Sequence, residues 1–70
     1  MNEEYSFNKT KSESFTMYKN GYHKLTAEVE KYNGEVKVTI EDYGAVVELQ
    51  APKEILVEFF AGIINILAGL

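Results

Sequence analysis

Seventy residues without a cysteine make one small domain that neither a disulfide nor a thiolate-held metal can staple. A chain of this length hides only about 60% of its unfolded surface, and unstapled scaffolds of this size often lean on oligomerisation. Eleven acidic residues against seven lysines and no arginine give a net charge of −4, which argues against the basic face of a nucleic-acid binder.

The charge is unevenly spread. Residues 1–24 carry four lysines and three glutamates, whereas residues 25–70 carry three lysines and eight acids. An acidic body repels phosphate and suits a basic protein partner, although the same charges also serve solubility. The opening Met1–Tyr5 is acidic and has no apolar run, unlike a signal peptide. With the lack of cysteine, this fits a cytoplasmic protein. The frequency of lysine, asparagine, isoleucine and tyrosine fits a bacterial or phage origin.

Residues 1–13 read as a flexible N-terminal arm. Tyr5 and Phe7 are its large apolar groups, spaced for a short edge strand or for folding back onto another element, and Thr10–Ser14 reads as a solvated loop. Residues 14–70 read as one domain of β-meander plus helix. Asn20-Gly21, Asn33-Gly34 and Tyr43-Gly44 punctuate alternating segments, and Asn-Gly in that setting is the strongest short hairpin signal. The strands between them are expected over 15–18, 22–32, 35–42 and 45–51.

Register follows from the requirement that apolar side chains share one face. A two-residue turn at Asn33-Gly34 pairs Val29 with Val38 and Ala27 with Ile40, and places Glu30 opposite Lys37 on the other face. A two-residue turn at Tyr43-Gly44 pairs Ile40 with Val47, Val38 with Leu49 and Val36 with Ala51. For the first hairpin a two-residue turn sets Leu25 against Thr16. A three-residue loop, Lys19-Asn20-Gly21, keeps the face continuous by pairing Phe15 with Leu25 and Met17 with His23. The open face then carries Tyr18 and Tyr22 as cross-strand neighbours with Lys24 beside them, together with Glu28, Glu30, Glu41 and Glu48.

Residues 52–70 form the C-terminal helix. Pro52 suits the first helical position, which makes Ala51 the cap, a poor one, and Glu54 falls in the first turn, where a carboxylate faces the positive end of the helix dipole. At about 100° per residue, Glu54, Glu58, Gly62, Asn65 and Gly69 fall in one stripe. Leu56, Phe59, Phe60, Ile63, Leu67 and Leu70 lie opposite and are expected to meet the sheet. Apolar flanks remain on both sides, and Val57, Ala61, Ile64 and Ala68 recur at spacings of 4, 3 and 4, a helix-pairing rhythm. The expected fold is therefore α+β: a four-stranded antiparallel meander with one helix packed on one face, in two layers.

No chemistry stands out. His23 is the single histidine, beside a turn, and reads as structural. Ser6, Ser12 and Ser14 all fall in the N-terminal part, so no nucleophile–base pair assembles. No catalytic residue, metal-ligand set or cofactor motif is identified, and Glu41-Asp42-Tyr43-Gly44 lacks the spacing of a calcium loop.

The sequence thus points to a non-enzymatic interaction module. It is expected to form a homodimer through Val57, Phe60, Ala61, Ile64 and Ala68, and to bind a larger, basic protein through its acidic surface. Three other readings stay open. The N-terminal arm could cover the helix flank. Tyr18, Tyr22 and Lys24 could stack single-stranded nucleic acid, against the acidic balance. The helix could lie on a membrane surface, although its uncharged run is too short to span one and its polar stripe carries glutamates rather than lysines.

Overall fold

The structure is a computed structural model that describes residues 3–11 and 13–70. Five antiparallel strands form one sheet in chain order: β1 (Tyr5–Lys11), β2 (Ser14–Lys19), β3 (Tyr22–Tyr32), β4 (Glu35–Asp42) and β5 (Ala45–Ala51). Helix α1 (Lys53–Ala68) follows after Pro52. The α+β class, the antiparallel sheet and the single C-terminal helix are as the sequence implies, with five strands instead of four.

The additional strand comes from the arm. Tyr5 pairs with Lys19, Phe7 with Met17 and Asn8 with Thr16, so Phe7 joins the apolar face and stacks on Phe15 with ring centroids 5.8 Å apart. The strand is clipped at its start. Glu4 N–H donates to Asn20 Oδ1 at 2.9 Å, Asn20 N–H returns a bond to Glu4 O at 2.7 Å, and Lys19 Nζ lies 3.1 Å from Glu3 Oε2. The Glu3 hydrogen bond and charge, helped by Tyr5, raise the Lys19 pKa above the ordinary lysine value. The ion pair is therefore in place at neutral pH and is lost only as pH rises through that raised value. The loop expected over 10–14 contracts, because β1 runs to Lys11 and β2 starts at Ser14. Positions 1, 2 and 12 of the expected arm lie outside the described residues.

All three glycine turns are two-residue turns of the primed type, with both central residues left-handed: Asn20 and Gly21 (φ 52° and 84°), Asn33 and Gly34 (50° and 79°), Tyr43 and Gly44 (48° and 87°). The two later hairpins take the expected register. Val29 faces Val38, Ala27 faces Ile40, and Glu30 faces Lys37 with Nζ and Oε1 3.5 Å apart. Across β4 and β5, Ile40 faces Val47, Val38 faces Leu49 and Val36 faces Ala51.

The first hairpin corrects the expectation. Its turn is the two-residue Asn20-Gly21, with Lys19 facing Tyr22 and Tyr18 facing His23. The register then shifts by one residue at Lys24, so that Met17 faces Leu25 and Phe15 faces Ala27. One bulged residue in the strand restores the apolar face that a longer loop was expected to restore.

Helix α1 starts one residue later than expected. Pro52 is the cap, with φ −55° and ψ 147°, and its carbonyl accepts from Ile55 and Leu56 N–H at 3.0 and 3.2 Å. A proline in the cap offers no side-chain acceptor.

Two glycine substitutions test this backbone. Gly34→Ala has room for its Cβ but must hold a left-handed φ, and should lower stability by roughly 1–2 kcal/mol. Gly62→Ala, helical and with nothing near the added carbon, should raise it by roughly 0.5–1 kcal/mol. Urea unfolding followed by circular dichroism reads both, and shifts of the same sign would contradict the turn.

Candidate interaction surface

The sheet twists one apolar face toward the helix, carrying Phe7, Phe15, Met17, Leu25, Ala27, Val29, Val36, Val38, Ile40, Val47 and Leu49, since residues opposite each other in a ladder share a face. Helix α1 meets that face over β4 and β5. Five strands at about 4.8 Å spacing make a sheet roughly 19 Å wide, and a helix is only about 10 Å across. One helix therefore roofs about half of it.

Burial reflects that shortage. Among the described residues, the buried apolar side chains are Val38 (7% exposed) and Leu56 (8%). Of the helix positions expected to meet the sheet, Leu56 is buried and Phe60 half-buried, whereas Phe59, Ile63, Leu67 and Leu70 are exposed. The expectation that all six meet the sheet is thus corrected. The first turns dock, and the later turns carry apolar side chains with nothing over them.

Between helix and sheet lies an open cleft of about 510 Å³. Val29, Val36 and Val38 form its sheet wall, and Leu56, Val57, Phe60, Ala61 and Ile64 its helix wall, with Lys53 the single charged residue on its lining. Four of the five residues expected at an interface, Val57, Phe60, Ala61 and Ile64, are brought together here. Ala68 lies farther along the helix and is exposed. Val57 and Ile64 are 60% and 62% exposed. Strand β1, in the expected N-terminal arm, does not cover them, because it pairs with β2 at the opposite edge of the sheet from β5.

The accessible surface of the chain is 5746 Å². A folded monomer of 8.0 kDa is expected to expose about 4450 Å², so this chain shows about 1300 Å² more than its mass requires. Its Cα radius of gyration is 13.7 Å, against about 11 Å for a compact domain of this length.

The other face of the sheet is polar. Glu28, Glu30, Glu41 and Glu48 lie on it with Thr26, Thr39, Lys37 and Gln50. The tyrosine platform is not assembled there. Tyr18 faces His23 on the polar side, its ring edge-on to the imidazole, while Tyr22 faces Lys19 on the apolar side. Lys24, at the bulge, turns to Asp42 at 3.8 Å and to the Tyr43 ring at 5.8 Å. Tyr18, Tyr22 and Lys24 therefore do not form one patch, and the register shift at Lys24 is the reason.

His23 is engaged locally. Its Nε2 lies 2.6 Å from Thr26 Oγ1, which lies 3.2 Å from Thr16 Oγ1, and its carbonyl accepts from Tyr43 Oη at 3.0 Å. Thr16, only 3% exposed, is the buried end of this chain. Alternation placed Thr16 on the open face but carried no sign of its burial, which comes from threonines meeting across the ladder. Among the described residues no group of three or more histidines or carboxylates is arranged to hold a metal ion.

No protein-family model, no curated protein and no solved structure matches this chain.

Leu56 is the helix's one buried anchor. Leu56→Ala should lower stability by about 2 kcal/mol, the low end for a buried leucine because the cleft is open. Amide hydrogen exchange should then quicken along α1 well before it quickens in β3 and β4.

Proposed function

We propose that the protein is a non-enzymatic interaction module that works as a homodimer, joined through α1 and the apolar cleft. The observation that carries this reading is the surplus surface. About 1300 Å² per chain exceeds the roughly 800 Å² that each partner contributes to a standard interface, and exposed apolar side chains such as Phe7, Phe15, Val29 and Val47 share the sheet face on which the helix lies. Val57, Phe60, Ala61, Ile64 and Ala68 are the contact residues of the helix. The last charge on the helix is Glu58, so two acidic chains can meet along its later turns without setting like charges together.

The polar face is then left for a second partner. Glu28, Glu41 and Glu48 stand on one side of β3, β4 and β5, a surface suited to a larger protein with a basic patch. A different use of the helix, lying on a membrane surface, draws on the same uncovered turns. No helix of the described residues is long and apolar enough to cross a membrane.

Light scattering on a sizing column should give the mass of two chains, and Ile64→Asp should give one, with the circular dichroism spectrum kept. A wild-type monomer at high micromolar concentration would overturn the dimer. Flotation with anionic vesicles, leaving the protein behind, separates the soluble dimer from the membrane reading. A basic partner captured from host lysate should be released by moderate salt and lost from a Glu41→Lys, Glu48→Lys double variant that still dimerises.

A further inference from the structure

Resting on that homodimer reading, we infer its architecture: the two α1 helices pair antiparallel through one flank, and the later turns of each helix lie on the β2–β3 half of the other chain's apolar face. Two shortages in one chain point to this. The sheet has apolar area over β2 and β3, at Phe15 and Ala27, away from β4 and β5 where α1 makes its contacts. The helix has apolar side chains past Ile64, at Ile66, Leu67 and Leu70, that stay exposed. A two-fold axis supplies each from the other, the self-complementary arrangement that closed dimers use.

The flank has a matching rhythm. In an antiparallel pair centred between Ala61 and Ile64, Val57 faces the second copy's Ala68 and Ala61 faces its Ile64. Every branched side chain then meets an alanine, which allows close helix approach. Ala68, exposed in its own chain, is placed by this register. The polar stripe of Glu54, Glu58 and Asn65 stays outward. Charges on the helix sit at Lys53, Glu54 and Glu58, so antiparallel pairing sets the charged beginning of one helix beside the uncharged end of the other. Burying 1300 Å² on each chain would give an interface of about 2600 Å², within the range of obligate homodimers.

The chain has no cysteine, so disulfide trapping has no background. Val57→Cys and Ala68→Cys are made as separate chains and oxidised alone and as an equimolar, refolded mixture. Eleven residues at about 1.5 Å rise put like positions about 16 Å apart in the antiparallel register, beyond disulfide reach. A cross-linked dimer is therefore expected as the main species only in the mixture. Ala27→Cys mixed with Leu67→Cys should cross-link in the same way, testing the seat of the helix on the other sheet.

Circular dichroism and light scattering on each variant confirm folding and assembly. Dimers in which Val57→Cys links to itself would establish parallel pairing and overturn the proposal. Dimers without any of these links would overturn it while leaving self-association standing. Monomers throughout, wild type included, would remove both.

Discussion

Everything in this molecule hangs on the contact of Leu56 with the sheet around Val38. These are the buried apolar side chains among the described residues, and they join two elements that hydrogen bonds do not connect. The sheet can satisfy its own backbone, strand against strand, and the helix can satisfy its own. Neither can remove its apolar surface from water alone. Burial is worth about 25 cal/mol per Å², and a cluster of two buried residues captures a small part of what the sequence offers. The apolar groups that the contact leaves uncovered are therefore the strongest force acting on the chain, and they act outward.

The two faces of the sheet divide the work. In the proposed dimer the apolar side would receive a second copy, whose counterpart helix surface is encoded in the same chain. The polar side gathers Glu28, Glu30, Glu41 and Glu48, with Lys37 neutralising Glu30. A module built this way can assemble through one side and still present the other. The proposed dimer would double the acidic display and so strengthen a weak electrostatic contact by avidity.

Much of the sheet was readable because its signals are local. Asn33-Gly34 and Tyr43-Gly44 dictate their turns, and the alternation of Val29, Val36, Val38, Ile40 and Val47 leaves one register that keeps apolar groups together. The first hairpin was harder. A longer loop and a bulge at Lys24 restore the same apolar face, and sequence alternation alone cannot separate them, so Tyr18 and Tyr22 were placed side by side when they stand on opposite faces. Strand β1 was weakly signalled because two aromatic residues among polar ones barely define a period. It forms because Glu3, Glu4, Lys19 and Asn20 tie its start. At the helix, the spacing of Val57, Ala61, Ile64 and Ala68 marked one flank, and the first three of these line one cleft with Phe60. Their place at the mouth of a cleft followed from something the helical period does not contain, the width of the sheet they lie on.

The meander has a kinetic corollary. Every strand pairs with its neighbour in sequence, and three tight turns close the β2–β5 hairpins, so no long loop must be ordered before a ladder forms. Such low contact order favours rapid folding. The five strands can pair with one another before α1 docks on them, since no ladder of the sheet depends on the helix.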